Sequence, residues 1–240
     1  MSSHGLTCDS CTVRHRAVCG ALADEEIACL NAIARIKRFP AGRVILRDHE
    51  VPDYFANVVE GVVKLTKTLT DGRQQIVGLQ FPSDFLGRLF RERSPYFAEA
   101  ASNVTLCAFE RSRFEGLMRQ FPGIERRLFE NTLNELDAAQ DWMVLLGRKS
   151  AAEKVASFLL MVARRSRQSG CAPTDKLDFA RFDLALSRSE IADFLGLTIE
   201  TVSRQMTSLK RRGFIEQEGS RSVVVPQLSK LESAAEQSED

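Results

Sequence analysis

The passage LSRSEIADFLGLTIETVSRQMTSLKRRGFI, residues 186–215, limits the possible folds of this chain more than any other stretch. Ser187 or Ser189 can begin a helix, Gly196 can end it in a sharp turn, and Thr198 can cap a second helix. Small and apolar residues that would face inward recur on both sides of the turn: Ile191, Ala192, Leu195, Val202 and Met206. The pattern favours a helix-turn-helix over a helical hairpin within a bundle.

The second helix of this passage presents a polar face at its start. Arg204 can donate two hydrogen bonds to guanine, Glu200 can accept one from a cytosine amino group, and Ser203 can contact a base or a phosphate. Side chains that could hold phosphates surround them: Thr201, Arg188, Lys210, Arg211 and Arg212. The next segment, GFIEQEGSRSVVVP, has strand, turn and strand character. We therefore predict a winged helix-turn-helix that binds double-stranded DNA.

Short runs rich in Val, Ile, Leu and Phe dominate an earlier part of the chain: RVILR, YFANVVEGVVKLTKTL, RQQIVGLQF and VTLCAFE. Turn residues separate the runs, and Asp71-Gly72 favours a two-residue type I′ hairpin turn. Strands at this spacing, without helices between them, predict an antiparallel roll or barrel over about Phe39–Glu110. Before them, ADEEIACLNAIARI predicts a short helix capped by Asp24.

Helical character returns between Arg113 and about Gly147, with a break near Pro122-Gly123. A stripe recurs there at the spacing of a helix-packing seam: Leu133, Leu136, Gln140 and Met143. The stripe can pack on a second copy of the helix, which makes a homodimer, or on the chain's own roll. Spacing alone leaves both interpretations open.

Charge and hydropathy exclude several protein classes. The net charge is +1 and 44% of the 240 residues are hydrophobic, which is ordinary for a globular protein. Residues 148–228 are basic, with 14 Lys and Arg against 9 Asp and Glu, and residues 229–240 form a short acidic tail that we expect to be mobile. The longest nearly apolar stretch, Val155–Ala163, is too short for a membrane helix, and the start lacks the features of a secretory signal. We expect a cytoplasmic protein with no membrane association.

Three of the six cysteines lie close together in HGLTCDSCTVRHRAVCGAL: Cys8, Cys11 and Cys19. This segment is too polar to need thiols for packing, and a reducing compartment disfavours disulfides. On spacing, the three could hold zinc with His15 or Cys107 as fourth ligand, or Cys8 and Cys11 could form a thiol/disulfide switch. A thiol oxidoreductase is disfavoured because no thioredoxin-like βαβ pattern surrounds the pair. Cys29 and Cys171 are interpreted as structural or incidental.

The order of roll, long helix and winged helix-turn-helix resembles the CRP/FNR superfamily of bacterial transcription regulators over nearly the whole chain. The segment GLTIETVSR resembles the recognition helix of its FNR and FixK members. This resemblance implies a homodimeric regulator, mainly an activator and not an enzyme, that binds a palindrome of the TTGAT…ATCAA kind. By resemblance, Glu200, Ser203 and Arg204 read each half-site, and loops such as LTDGRQQ contact RNA polymerase.

The spacing C-x2-C-x7-C with a remote Cys107 also resembles the cysteine set of oxygen-sensing FNR-type proteins, including the FnrL and FnrN branch. There, four thiolates hold a [4Fe-4S] cluster, so the resemblance implies that Cys8, Cys11, Cys19 and Cys107 do so here. A FixK-like regulator without a cluster is the main alternative. In DFLGRLFRERSPYFAEAAS, Arg88 follows Gly87 where cyclic-nucleotide-binding relatives have Glu, so we expect no cyclic AMP binding.

The chain is thus predicted to be an α+β protein with a cyclic-nucleotide-binding-like, antiparallel N-terminal β-roll, a long dimerisation helix and a C-terminal winged helix-turn-helix. The predicted parts are a cysteine-rich cluster-binding segment (1–22), the roll (23–115), the dimerisation helix (116–147), the DNA-binding domain (148–228) and the acidic tail (229–240). Cluster binding would order the N-terminal segment against the roll and the start of the dimer helix, and would thereby favour the dimer.

Overall fold

The computed structural model describes residues 8, 11–168, 178–219 and 221–236. The chain divides into two compact units, residues 1–136 and 137–240. The first is rich in antiparallel strands and the second in helices, so the predicted α+β class with an N-terminal roll is confirmed. Within the described residues, every helix is too short or too polar to cross a bilayer.

The described residues of the first unit form eight strands and the helices that flank them. Its helices are a 3-10 helix at Val18–Ala21, α1 (Asp24–Ile33), α2 (Arg111–Gln120) and the start of α3 (Pro122–Arg148). Its strands are β1 (Ala34–Phe39), β2 (Val44–Leu46), β3 (Tyr54–Glu60), β4 (Val63–Thr68), β5 (Gln74–Gln80), β6 (Phe85–Leu86), β7 (Phe97–Ala100) and β8 (Val104–Glu110). They form two antiparallel sheets, ordered β1-β8-β3-β6 and β2-β7-β4-β5.

Successive side chains of β3 and β8 point to opposite faces of their sheet, and this divides the core of the unit into two layers. Ala56, Val58 and Leu106 belong to the layer shared with β4 and β7, while Phe55 and Phe109 belong to the layer shared with the helices and the cysteine segment. The period of two residues along a strand explains this division, because successive side chains point to opposite faces. The described residues of the cysteine segment, 8 and 11–22, therefore pack on the outer face of the β1-β8-β3-β6 sheet.

Two local predictions in this unit are wrong in detail. The β4–β5 hairpin has a three-residue loop, since the Leu69 amide donates to the Arg73 carbonyl (2.8 Å) and the Gly72 amide donates to the Leu69 carbonyl (3.0 Å). A three-residue hairpin loop consists of a turn followed by a residue in the left-handed conformation. Gly72 is that residue, with φ +87°. The cap of α1 is Ala23 and not Asp24, because the Glu26 carboxylate accepts from the Ala23 amide (2.9 Å).

The long helix begins later than predicted. α2 is a separate helix that ends at Gln120, and α3 begins at Pro122, whose missing amide hydrogen is tolerated at a first helical position. The predicted helix 116–147 therefore includes the end of α2.

The second unit contains the remaining helices and a small sheet. Its elements after α3 are α4 (Ala151–Gln168), β9 (Ala180–Asp183), α5 (Arg188–Leu195), α6 (Ile199–Arg211), β10 (Glu216–Glu218), β11 (Ser222–Val225) and α7 (Leu228–Glu236). The sheet is antiparallel, with the order β10-β11-β9. Trp142 stacks on Phe194 at a ring-centroid distance of 4.2 Å, which packs α3 against α5.

The prediction of a mobile acidic tail is wrong for residues 229–236. They belong to α7, which packs against α4 through three buried side chains: Leu228, Leu231 and Ala235. Arg164 on α4 pairs with Glu232, and the Lys149 ammonium donates to the Ala235 carbonyl (2.8 Å). The apolar residues recur at helical spacing, so local packing outweighs the acidic composition. Residues 237–240 lie outside the described part.

Candidate functional sites: a helix-turn-helix and a four-thiol pocket

Side-chain caps and one left-handed glycine fix the helix-turn-helix. The Ser187 hydroxyl accepts from the Glu190 amide (3.2 Å) and the Glu190 carboxylate accepts from the Ser187 amide (2.8 Å), which begins α5. Gly196 ends α5 at φ +63°. The Thr198 hydroxyl accepts from the Thr201 amide (3.3 Å) and begins α6. The sequence prediction named Gly196 and Thr198, and offered Ser187 or Ser189 for the start of α5; the structure selects Ser187.

The buried faces of α5 and α6 leave the predicted reading residues in solvent. Ile191, Ala192, Leu195, Val202 and Met206 are buried. Glu200, Ser203 and Arg204 are exposed on α6. Hydrogen bonds from its own amide and from the Thr198 hydroxyl lower the pKa of Glu200, so its carboxylate is an ionised acceptor at neutral pH. Such a group can accept from an amino group on a base edge.

The residues predicted to hold phosphates flank this face. Thr201 is half-buried beside the Thr198 cap, and Arg188 lies at the first turn of α5. Partial burial lowers the pKa of Arg188 from its usual value, and the guanidinium remains a cation at neutral pH. The β10–β11 hairpin forms a wing, and Arg181 on β9 pairs with Glu218 on β10 across β11.

The predicted stripe of α3 is exposed. In the first unit, Leu133 is 44% exposed and Leu136 is 52% exposed; in the second, Met143 is 69% exposed and Gln140 is also exposed. Phe129, four residues before Leu133, is 63% exposed and continues the stripe. Sequence reasoning missed Phe129, although extending the same spacing by one step toward the N-terminus finds it. These side chains are available to a second copy of the chain.

The second site is a pocket lined by four thiols. Cys8, Cys11 and Cys19 from the N-terminal segment meet Cys107 on β8 at one cavity, which we call the four-thiol pocket. Leu30, Asn31, Asn57 and Phe109 complete much of its wall. The Cys8 thiol donates to the Asn31 side-chain oxygen (3.4 Å). The structure thus brings together all four cysteines that the sequence analysis grouped.

Other candidate ligands do not reach this pocket. His15 is exposed, and no atom of it lines the cavity. Cys29 is exposed on α1, also away from the pocket, and Cys171 lies outside the described residues. The interpretation of His15 as a zinc ligand is therefore not supported.

Burial keeps the thiols of Cys19 and Cys107 protonated. Burial, followed by the nearby thiol of Cys11, raises the pKa of Cys19 to about 11. Burial and the thiols of Cys8, Cys19 and Cys11 raise the pKa of Cys107 to about 12. None of the four forms a disulfide. Neutral, mutually close thiols require compensating positive charge before they can ionise.

The four cysteines are not arranged like the ligands of a structural site for one metal ion. Among the described His, Cys, Asp and Glu side chains, no three are gathered so that they could hold one metal ion. A structural zinc site brings four sulfurs to about 2.3 Å from a single ion. The ligands of an iron–sulfur cluster are instead distributed over several iron atoms, one thiolate to each corner.

The cysteine segment contacts the beginning of α3 within the first unit. Val13, Ala17 and Val18 are buried in the same core as Ile124 and Leu128. The Arg127 guanidinium donates to the Arg16 carbonyl (3.0 Å). A Cβ atom on Gly123 would lie 3.0 Å from the Ala21 carbonyl oxygen, so glycine permits this approach. The pocket segment and the start of the long helix are therefore one packed structure.

Two family models match the chain, one in each compact unit. Residues 36–121 match the family model described as the cyclic nucleotide-binding domain, and residues 153–234 match that of the Crp-like helix-turn-helix domain. The chain is 45% identical over 229 residues to the transcriptional activator protein FnrL of Cereibacter sphaeroides, covering 93% of this chain and 90% of that protein. This chain belongs to the CRP/FNR family. The regulator is also 41% identical over 213 residues to the nitrogen fixation regulation protein FixK of Bradyrhizobium diazoefficiens, covering 88% of this chain and 87% of FixK.

The solved structure of FixK2 from Bradyrhizobium japonicum resembles the regulator with a TM-score of 0.75 and 32% identity, over 86% of this chain and all of that one. The resemblance stated from sequence is thereby confirmed. The regulator is a DNA-binding transcription factor and not an enzyme. The match of residues 36–121 to the cyclic nucleotide-binding domain concerns the fold of this region. That this family member does not bind cyclic AMP stays a prediction, based on Arg88 in the sequence.

Proposed function

We propose that this protein is an oxygen-responsive transcriptional activator that binds an FNR/FixK-type palindrome as a homodimer while a [4Fe-4S] cluster is intact. The observation that carries this proposal is that four cysteine thiols line one pocket, three from the N-terminal segment and one, Cys107, from β8. Relatives that are named transcriptional activators, among them FnrL and Anr, support the role of activator.

The residues present fit such a cluster. The pocket offers four sulfur donors, the usual ligand set of a [4Fe-4S] cluster. Cys8, Cys11, Cys19 and Cys107 would hold it, and when bound it supplies an iron–sulfur centre that oxygen can degrade. Because the pKa values of Cys19 and Cys107 are raised to about 11 and 12, loading at neutral pH must release protons from both thiols.

The protein's own residues would transmit the loaded state to α3. Cys8, Cys11 and Cys19, once tied to Cys107, would hold residues 11–22 against the roll. Residues 16 and 21 of that segment contact Arg127 and Gly123 at the start of α3. Ordering the segment therefore stabilises the start of the helix that carries the exposed stripe. Loss of the ligation would remove this support and shift the equilibrium toward monomers.

Dimerisation would allow the two recognition helices to enter successive major grooves about 34 Å apart, one turn of DNA. In each half-site Arg204, Glu200 and Ser203 would contact base edges, and Thr201 and Arg188 would contact the backbone. A monomer makes half of these contacts, so it would leave the promoter. The exposed β4–β5 loop, residues 69–73, is a candidate contact for RNA polymerase.

The first experiment is to measure iron and acid-labile sulfide per chain in protein purified without oxygen, and to follow the visible spectrum during admission of air. About four of each per chain, with a colour that bleaches in air, would support the proposal. Cys107→Ala should then abolish anaerobic promoter activation, with Cys29→Ala as the matched control that keeps it. A colourless protein that resists reconstitution would refute the cluster, and a FixK-like regulator without a cluster or a zinc site would take its place.

A further inference from the structure

Asn57 is a polar residue in the wall of the four-thiol pocket that the family relationship does not explain. It lies in the middle of β3 and is 1% exposed. Its side-chain nitrogen lies 3.7 Å from the Cys19 sulfur, and the residue pairs directly with Cys107 on β8. Asn57 thus lies beside one sulfur from the N-terminal segment and opposite the one sulfur from the sheet.

The metal-free fold satisfies this amide only in part, because its nitrogen donates to the Cys19 sulfur while its oxygen is left over. The Asn57 side-chain oxygen is buried and has no hydrogen-bond partner. Its neighbours on the same face of β3 are Phe55 and Val59, both buried and apolar. A buried polar atom without a partner lowers the stability of a fold, and an aliphatic side chain would pack here without that cost. The amide therefore needs a reason other than packing.

The chemistry of sulfur supplies that reason. A thiolate is an acceptor without a proton to donate, and a carboxamide carries donor hydrogens on its nitrogen. An N–H that faces a ligand sulfur withdraws electron density from it and stabilises its ionised form. Hydrogen bonds to the sulfurs are among the main determinants of the stability and potential of iron–sulfur clusters.

We propose that Asn57 is a positioning residue that donates a side-chain hydrogen bond to the Cys19 thiolate when the pocket is loaded. Asn57 thereby orients that ligand and slows the loss of the cluster. This inference rests on the proposed function, because it assigns a role toward the group that the four thiols would hold.

The test compares wild type with Asn57→Leu, which has similar volume and no donor, in the full-length protein reconstituted without oxygen. Thr66→Val is the matched control, because it removes a buried polar group from β4, in the other sheet. The readouts are the Fe–S(Cys) stretching bands in resonance Raman spectra and the rate of iron transfer to a chelator. Circular dichroism establishes that each variant is folded.

We expect Asn57→Leu to shift a stretching band to higher frequency and to raise the rate of iron loss about tenfold or more, while Thr66→Val matches wild type. Identical bands and rates for Asn57→Leu and wild type would overturn the inference while leaving the cluster in place. If Asn57→Leu does not fold, Asn57→Ser is compared with wild type in its place, because the serine side chain is too short to reach the Cys19 sulfur as the amide does. A wild-type protein that takes up no cluster would instead overturn the proposed function.

Discussion

Leu136 provides a quantitative test of the α3 stripe. Its side chain is 52% exposed in the single chain, so about half of its surface is left to bury in a dimer. Full burial of a leucine contributes about 2–3 kcal/mol, so Leu136→Ala should remove about 1–1.5 kcal/mol per protomer. A twofold-symmetric interface contains the residue twice, which makes about 2–3 kcal/mol per dimer. The dimer dissociation constant should therefore rise about 30- to 140-fold.

Sedimentation equilibrium of oxygen-free protein over a concentration series measures this constant directly. Leu69→Ala is the matched control, because Leu69 is 53% exposed but lies in the β4–β5 loop. Its dissociation constant should equal that of wild type. The reasoning fails if Leu136→Ala dimerises like wild type, or if Leu69→Ala weakens the dimer as much. A lower free energy of unfolding with no change in dimerisation would place the leucine in its own chain's core.

Three further predictions concern the two sites. Folding raises the pKa of Cys107 to about 12, so the metal-free protein should lose stability as pH rises from about 9 toward 12. Urea titrations over this pH range should show a smaller loss for Cys107→Ser than for wild type. Arg204→Ala should cost about 1–3 kcal/mol at one guanine per half-site in binding to a set of single-base operator variants; a loss that is equal for all sequences would identify a phosphate contact instead. Thr198→Ala should destabilise the second unit by about 1 kcal/mol in thermal unfolding followed by Trp142 fluorescence, whereas the exposed Ser203→Ala should change it little.

The elements that could be predicted from sequence are those whose signals are local. Ser187, Gly196 and Thr198 specify the two helices of the DNA-binding motif within a dozen residues, through caps and one left-handed turn. The grouping of Cys107 with the N-terminal thiols is a long-range contact, and it came from a family resemblance. No local pattern specifies which strand faces residues 8–19.

The features that could not be predicted from sequence also depend on contacts between residues that are far apart in the chain. The position of α7 depends on packing of Leu231 against α4, which acidic composition conceals. The role of Asn57 depends on which face of β3 meets the cysteine segment. In the sequence, Asn57 stands out only as a polar residue inside the apolar run YFANVV, and this pattern does not show which side chain it contacts. Such features follow from tertiary contacts and require the structure.

The division of the pocket between a terminal segment and an inner strand has a consequence for biosynthesis. β8 lies between β1 and β3, so Cys107 takes its place only after the roll has closed. The N-terminal thiols leave the ribosome several seconds earlier, at the usual rate of about 5–20 residues per second. A nascent chain therefore exposes three of the four pocket thiols before the pocket exists. If the pocket holds the proposed cluster, delivery of iron and sulfide would have to follow translation of the roll, and the assembly machinery would have to recognise a nearly finished domain.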